Sequence, residues 1–139
     1  MKLSTRTRYG TRLLLDLAFH YGQSPVQIGD IAKRQDISVK YLEQIIRPLK
    51  KAGFVDSIRG RKGGHVLAKA PETISLGQVV RLLEGGGKLT ECVQAPEKCI
   101  KGKDCSVRVA WEEATAALYE KLNSITITDL LVYNDRLGG

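Results

Sequence analysis

The sequence predicts a mainly α-helical chain with one small β-hairpin: a winged helix-turn-helix followed by a long C-terminal helix suited to dimerisation. Three observations carry this expectation. Two amphipathic segments are joined by the very short Gln35-Asp36-Ile37 connection, two β-prone segments flank Gly60-Arg61-Lys62-Gly63-Gly64, and a long helical pattern lies near the C-terminus. The first helix is expected from Ser4 or Thr5 to Tyr21, because Tyr9, Leu13, Leu14, Leu17, Ala18 and Tyr21 recur at helical spacing before Gly22. Ile28, Ile31 and Ala32 mark a short second helix ending about Arg34. Ser38 then caps a third helix, in which Leu42, Ile45, Ile46 and Leu49 form an apolar stripe and which stops at Gly53. Pro48 lies inside it and predicts a kink or a break, since it removes the hydrogen bond to the Gln44 carbonyl at a cost of about 3 kcal/mol in an unkinked helix.

From Phe54 the pattern changes to β-prone segments at 54–59 and 65–68, which read as a hairpin with a basic, glycine-rich tip. Ser75 and Gln78 have capping-box spacing and open a helix through Val79, Val80, Leu82 and Leu83 that the Gly85-Gly86-Gly87 run ends. A loop with the cysteines follows. A long helix is expected from about Ser106 to Asn123, with Trp111, Ala114, Ala117, Leu118 and Leu122 on one side, then a short helix from near Thr126. That long apolar side is best hidden against its copy in a second chain, and two-fold DNA sites favour such a dimer. The expected organisation is 1–69 for the winged helix-turn-helix, 70–90 for a connecting helix, 91–105 for the cysteine loop, and 106–139 for the dimerisation and C-terminal helices.

The 139 residues suffice for one core and exclude most multidomain enzymes. An apolar fraction of 42% with 27% charged residues is ordinary globular composition, which argues against a disordered or collagenous chain. No apolar run approaches the roughly 20 residues of a membrane span, and Arg6, Arg8, Arg12 and Asp16 interrupt the N-terminal segment, so a cytoplasmic protein is expected, with no membrane partner. The charge is uneven. Residues 1–69 hold 14 Lys/Arg against 5 Asp/Glu, while residues 70–139 hold 8 against 10. A basic front half points to a polyanion such as a nucleic-acid backbone; a solvated cationic face is the alternative.

In a helix-turn-helix the start of the second helix enters the major groove, which makes Ser38, Lys40, Tyr41, Glu43, Gln44 and Arg47 the candidate contacts. Gln44 suits adenine, Glu43 suits cytosine, and Lys40 or Arg47 suits guanine or a phosphate. Arg59, Arg61 and Lys62 on the wing would lie by the adjacent backbone or minor groove. Enzymatic machinery is not visible: the Gly60–Gly64 segment lacks the P-loop pattern, GxSxG and HExxH are absent, and only His20 and His65 offer imidazole.

Cys92, Cys99 and Cys105 are spaced C-x6-C-x5-C beside Lys98, Lys101 and Lys103. Three is an odd number for a disulfide framework, and nearby cations favour thiolates, soft donors for an iron–sulfur cluster or, less well at these spacings, zinc. A fourth ligand would have to come from another residue, a partner chain or an exchangeable small molecule.

Several stretches together identify a resemblance: Met1-Lys2-Leu3-Ser4 with Arg8-Tyr9-Gly10, Ile37-Ser38 with Tyr41-Leu42-Glu43-Gln44, Ser57-Ile58-Arg59-Gly60 with Gly63-Gly64, the three cysteines, and Ala110-Trp111. Over nearly its whole length the chain resembles the iron–sulfur cluster regulator (IscR-type) family of dimeric winged-helix transcription factors. The resemblance implies a bacterial regulator, not an enzyme, whose [2Fe–2S] or [4Fe–4S] cluster, absent in an apo form, changes its affinity for double-stranded promoter DNA of roughly palindromic sequence. It also implies that Glu43 and Gln44 lie in the major groove and Arg59 in the minor groove. There are departures. Arg108 stands where the cluster-assembly regulators have a histidine ligand, Arg8 where the nitric-oxide-sensing relatives have an acidic residue, and the first cysteine interval is one residue longer than usual. Cysteine-metabolism relatives use the same scaffold as cluster-free repressors, governed by a partner protein or thiol oxidation; the three cysteines argue against that branch. An electron carrier or zinc protein with an incidental basic face would leave the winged-helix pattern unexplained.

Overall fold

A computed structural model of the chain describes residues 2–86 and 105–138. In order, the elements are α1 (Thr5–Phe19), α2 (Ile28–Gln35), α3 (Val39–Lys51), β1 (Val55–Ile58), β2 (Gly64–Leu67), a 3-10 turn (Pro71–Thr73), α4 (Leu76–Glu84), α5 (Ser106–Ser124) and α6 (Ile127–Arg136). The strands pair antiparallel, with Val55 opposite Leu67 and Ile58 opposite Gly64.

Side-chain caps set the helix starts. Ser4 Oγ accepts from the Thr7 N–H at 3.2 Å and Ser38 Oγ from the Tyr41 N–H at 3.1 Å. Ser75 with Gln78 forms the expected capping box on α4, and Thr126 with Asp129 forms another on α6. Asp36 takes the left-handed conformation at φ 54°, ψ 51°, and the Ile37 N–H donates to the Ala32 carbonyl at 3.1 Å. Three residues therefore suffice to turn α2 into α3.

Some boundaries differ from expectation. α1 stops at Phe19 because the His20 and Tyr21 N–H groups tighten onto Leu17 and Ala18, which leaves Tyr21 46% exposed and outside the core. Pro48 does not break α3, which is continuous from Val39 to Lys51. The hydrogen bond it removes belongs to Gln44, on the exposed side where water can take its place, and the Ala52 N–H still reaches the Pro48 carbonyl at 3.0 Å. On α5 the expected apolar side is divided: Leu118 and Leu122 are half-buried beside the buried Thr115 and Tyr119, while Trp111, Ala114 and Ala117 face outward with Val107 and Ala110.

The core is organised around α1. Leu13, Leu14 and Leu17 are fully buried against Ile31 of α2, Leu42, Ile45 and Leu49 of α3, Val55 of β1, and Ile74, Val79, Leu83 and Ile127 of the later elements. A single core thus joins the front half to α4 and to the start of α6. Gly10 of α1 makes the three-helix junction possible, since a Cβ there would overlap Leu83 Cδ1 of α4 and press on Ile45 Cγ2 of α3. Backbone bonds stitch the ends of α4 and α6 together: Leu76 N–H to the Ile125 carbonyl at 2.8 Å, and Ile127 N–H to the Ile74 carbonyl at 3.0 Å.

Two polar clasps complete the packing. The Asp16 carboxylate, 2% exposed, accepts from Arg34 Nε at 3.0 Å, Arg34 Nη2 at 2.8 Å and Gln35 Nε2 at 2.9 Å, fixing α1 to α2. At the last turn of α4, Glu84 accepts from the Thr7 hydroxyl at 2.6 Å and the Ser4 N–H at 2.7 Å. The Thr7 hydroxyl, followed by the Ser4 N–H, holds the Glu84 carboxyl below its ordinary value near 4.5. A carboxyl whose pKa is lowered by folding contributes stability above its unfolded pKa and loses it as pH falls through the folded value. Glu84→Gln is expected to be less stable than the parent at pH 7, with the gap closing as the pH is taken below about 4.5. Denaturant unfolding across that range checks it, and a pH-independent gap would refute the assignment.

Candidate nucleic-acid interface

α3 has two unlike sides. Leu42, Ile45, Ile46 and Leu49 are buried, whereas Lys40, Glu43, Gln44 and Arg47, at i, i+3, i+4 and i+7, form an exposed polar face that Ser38 begins. Tyr41 is half-buried. Its ring meets that of Tyr9 edge-on at 5.8 Å and 86°. The Arg12 guanidinium lies 5.3 Å from the Tyr9 ring centre, its Nε donates to Gln35 Oε1 at 3.1 Å, and its Nη2 donates to the Gln35 carbonyl. One arginine of α1 therefore holds both the α2–α3 turn and the aromatic pair that steadies the start of α3.

The wing is tied to the rest of the fold rather than projecting freely. The Val26 N–H donates to the His65 carbonyl at 2.9 Å, the His65 N–H returns to the Val26 carbonyl at 2.8 Å, and Gln27 Nε2 donates to the Gly63 carbonyl. Gly64 has φ +154°, and a Cβ there would overlap the Val26 backbone, so this close approach requires glycine. Burial, and secondarily the Lys50 charge, push the His65 imidazole below its ordinary value. It sits 3.2 Å from Ser57 Oγ. Arg59, Arg61 and Lys62 are exposed at the tip.

The structure thus places Lys40, Glu43, Gln44 and Arg47 on one exposed face with Ser38 exposed at the cap before it, keeps Tyr41 partly packed, and presents the three wing cations on an anchored hairpin. Sequence reasoning missed Arg6, which lines a cleft with Tyr41, Gln44 and Ile45, and missed Tyr9 and Arg12 as residues that position α3. The spacing of Tyr9 and Arg12 on one side of α1 was a local signal, but their partners lie on other elements.

Of the cysteines, Cys105 is described. It is half-buried at the position before the first turn of α5, with its thiol unbonded to another cysteine. Cys92 and Cys99 lie outside the described residues. Arg108, one turn into α5, has a largely buried side chain whose Nη1 donates to Glu112 at 3.1 Å. Among the described residues no group of His, Cys, Asp and Glu is assembled to hold a metal, and no helix is long and apolar enough to cross a membrane.

A helix-turn-helix with a polar face on its second helix, backed by an anchored basic wing, defines a winged-helix regulator of transcription. The profile of the Rrf2 family, described as an iron-dependent transcriptional regulator, matches residues 3–133, and the chain belongs to that family. It is a regulator rather than an enzyme. It is 50% identical over 131 residues to protein rrf2 of Nitratidesulfovibrio vulgaris strain Hildenborough, covering 94% of this chain and 87% of that one. It is 37% identical over 131 residues to the HTH-type transcriptional regulator IscR of Erwinia tasmaniensis, covering 94% and 79%. Among solved structures it is similar to CymR, the global cysteine regulator of Bacillus subtilis, with a TM-score of 0.82, 36% identity, and coverage of 96% and 98%.

Because Ser38 Oγ satisfies an otherwise free N–H at the start of α3, Ser38→Ala should destabilise the fold by about 1 kcal/mol. Denaturant unfolding measures this. A stability equal to the parent's would show that the cap bond contributes nothing net.

Proposed function

We propose that the protein is a homodimeric, sequence-specific DNA-binding regulator that senses iron–sulfur status, redox stress or nitric oxide through a cluster held by Cys92, Cys99 and Cys105. The observation that carries the DNA half is the polar face of α3 beside an anchored wing, in a chain whose first 69 residues hold a large excess of cations. In this reading Gln44 and Glu43 read base edges, Ser38, Lys40, Tyr41 and Arg47 contact bases or phosphates, and Arg59, Arg61 and Lys62 contact the backbone or minor groove. The outward Val107, Trp111 and Ala114 side of α5 supports pairing with a second copy, so that two α3 helices meet the half-sites of a roughly palindromic promoter. A location in the cytoplasm accords with that role.

The donor chemistry fits the cluster at three positions and fails at one. Three thiolates suit iron, and Cys105 has a free thiol at the head of α5. Arg108 is a cation without a lone pair to donate and is engaged with Glu112, so the fourth position falls to another residue of this chain or of the partner subunit, or to a small molecule. When bound, the cluster supplies a centre whose integrity depends on iron, oxidants and nitric oxide. Cys105 then acts through its own helix. α5 packs on α4 through Tyr119, over which the Arg81 guanidinium lies at 4.3 Å, and α4 holds α1 through Glu84 and meets α3 at Gly10. Displacement of the head of α5 would thereby bias the placement of the two α3 helices.

The second reading is a cluster-free repressor, for example of cysteine metabolism, controlled by a partner protein or by thiol oxidation. Arg108 at the ligand position and the likeness to CymR favour it.

Iron and acid-labile sulfide, measured per chain in protein purified without oxygen, separate the two. Both present supports the cluster, and neither present in folded, DNA-binding protein overturns it in favour of the repressor. On DNA, Gln44→Ala should relax discrimination at one base pair by about 1–3 kcal/mol, whereas Lys62→Ala should weaken all duplexes alike and lower the salt slope by about 1. Unchanged sequence preference for Gln44→Ala in a binding titration would refute the role given to α3.

A further inference from the structure

We propose that Arg6 of α1 is a DNA-phosphate-binding residue that fixes where α3 sits along the groove; this rests on the DNA-binding reading above. Arg6, Tyr41, Gln44 and Ile45 line a cleft of about 130 Å³ between the first turn of α1 and the exposed side of α3. The chemistry of that lining is one-sided. A guanidinium supplies several donors, the Tyr41 hydroxyl and the Gln44 amide can each donate, the floor is the buried Ile45, and no carboxylate lines the cleft. A guanidinium, a phenol and a carboxamide lining one cleft without a carboxylate suit an oxyanion, and the planar fork of arginine matches a phosphate bidentately.

The other α1 arginines are occupied differently. Arg8 Nη2 donates to Thr5 Oγ1 at 3.1 Å, and Arg12 is held by Gln35 and Tyr9. Arg6 has no hydrogen-bond or ion-pair partner among the described residues, and its side chain is exposed beside the face that carries Lys40, Glu43, Gln44 and Arg47. The cleft opens next to Gln44, the residue read here as a base contact. A phosphate seated on Arg6 would therefore belong to the strand flanking the groove that α3 enters. Because α1 is the centre of the core, such a contact would anchor the whole fold rather than one side chain. It would specify register without reading sequence.

The test uses the full chain and two probes: a duplex selected from random sequence by the unsubstituted protein, and a random-sequence duplex of equal length. Arg6→Gln is expected to bind both about 5- to 10-fold more weakly at moderate salt and to lower the slope of log K against log[KCl] by about 0.9, the release expected for one phosphate contact. The selected motif should stay the same, and Arg6→Lys should restore the slope but only part of the affinity. Arg8→Gln, which removes the same charge outside the cleft, should have a smaller effect. Equal effects of Arg6→Gln and Arg8→Gln would reduce the contact to general attraction and overturn the proposal, as would an unchanged slope or an altered motif for Arg6→Gln. Thermal stabilisation by inorganic phosphate at matched ionic strength, lost in Arg6→Gln while the DNA slope is unchanged, would assign the cleft to a free anion and also overturn it. If the unsubstituted protein selects no duplex, the DNA-binding reading fails and this proposal fails with it.

Discussion

The burial of one side of α1 constrains everything else. Leu13, Leu14 and Leu17 have no solvent exposure to speak of, and each such side chain contributes about 1.5–3 kcal/mol by leaving water. α2, α3, α4, α6 and the hairpin are placed by how they cover those leucines, whereas α5 packs on α4. α3 covers them with Leu42, Ile45 and Leu49, which leaves its opposite side, with Lys40, Glu43, Gln44 and Arg47, no place except solvent. The candidate DNA face is thus a consequence of the core rather than an addition to it.

Polar contacts then fix angles that apolar packing alone leaves loose. The Asp16 carboxylate is nearly inaccessible and would be costly to bury alone, but Arg34 meets it with two donors and Gln35 with a third. Arg34 stays half in solvent, so the pair loses less hydration than a fully buried one would. Arg12 holds the following turn, and Tyr9 holds Tyr41. Three residues of α1 separated by single helical turns therefore set the pitch of α2 and α3 relative to each other.

The same helix connects the two ends of the proposed mechanism. Glu84 lies at the last turn of α4, close in sequence to Cys92, and grips the first turn of α1 through Ser4 and Thr7. Arg6 lies in that first turn and shares a cleft with Tyr41 and Gln44. Gly10, one turn on, lets Leu83 and Ile45 touch α1 at the same level. A movement of α4 has a short, packed route to α3, and its physical content is two hydrogen bonds to one carboxylate and a three-helix contact with no spare volume.

Local rules carried much of the way from sequence to fold. Ser38 and the Ser75–Gln78 box mark helix starts by their own hydrogen-bonding chemistry, the stripe in α3 marks its buried side by period, and the alternation around Gly60–Gly64 marks the hairpin, because each signal depends on residues within a few positions of one another. The continuity of α3 through Pro48 was not legible, since it depends on which side of the helix the lost bond falls. Nor was the division of α5, where apolar residues lie on both its packed and its outward sides and only packing on α4 decides between Tyr119 and Trp111. The sequence by itself determined the elements, the polar face of α3 and the basic wing. Only the tertiary structure decided that Arg34 closes on Asp16, that Glu84 grips α1 and that Arg6 stands beside Gln44, because those contacts join residues 18 to 80 positions apart and no local pattern encodes which distant side chain will arrive.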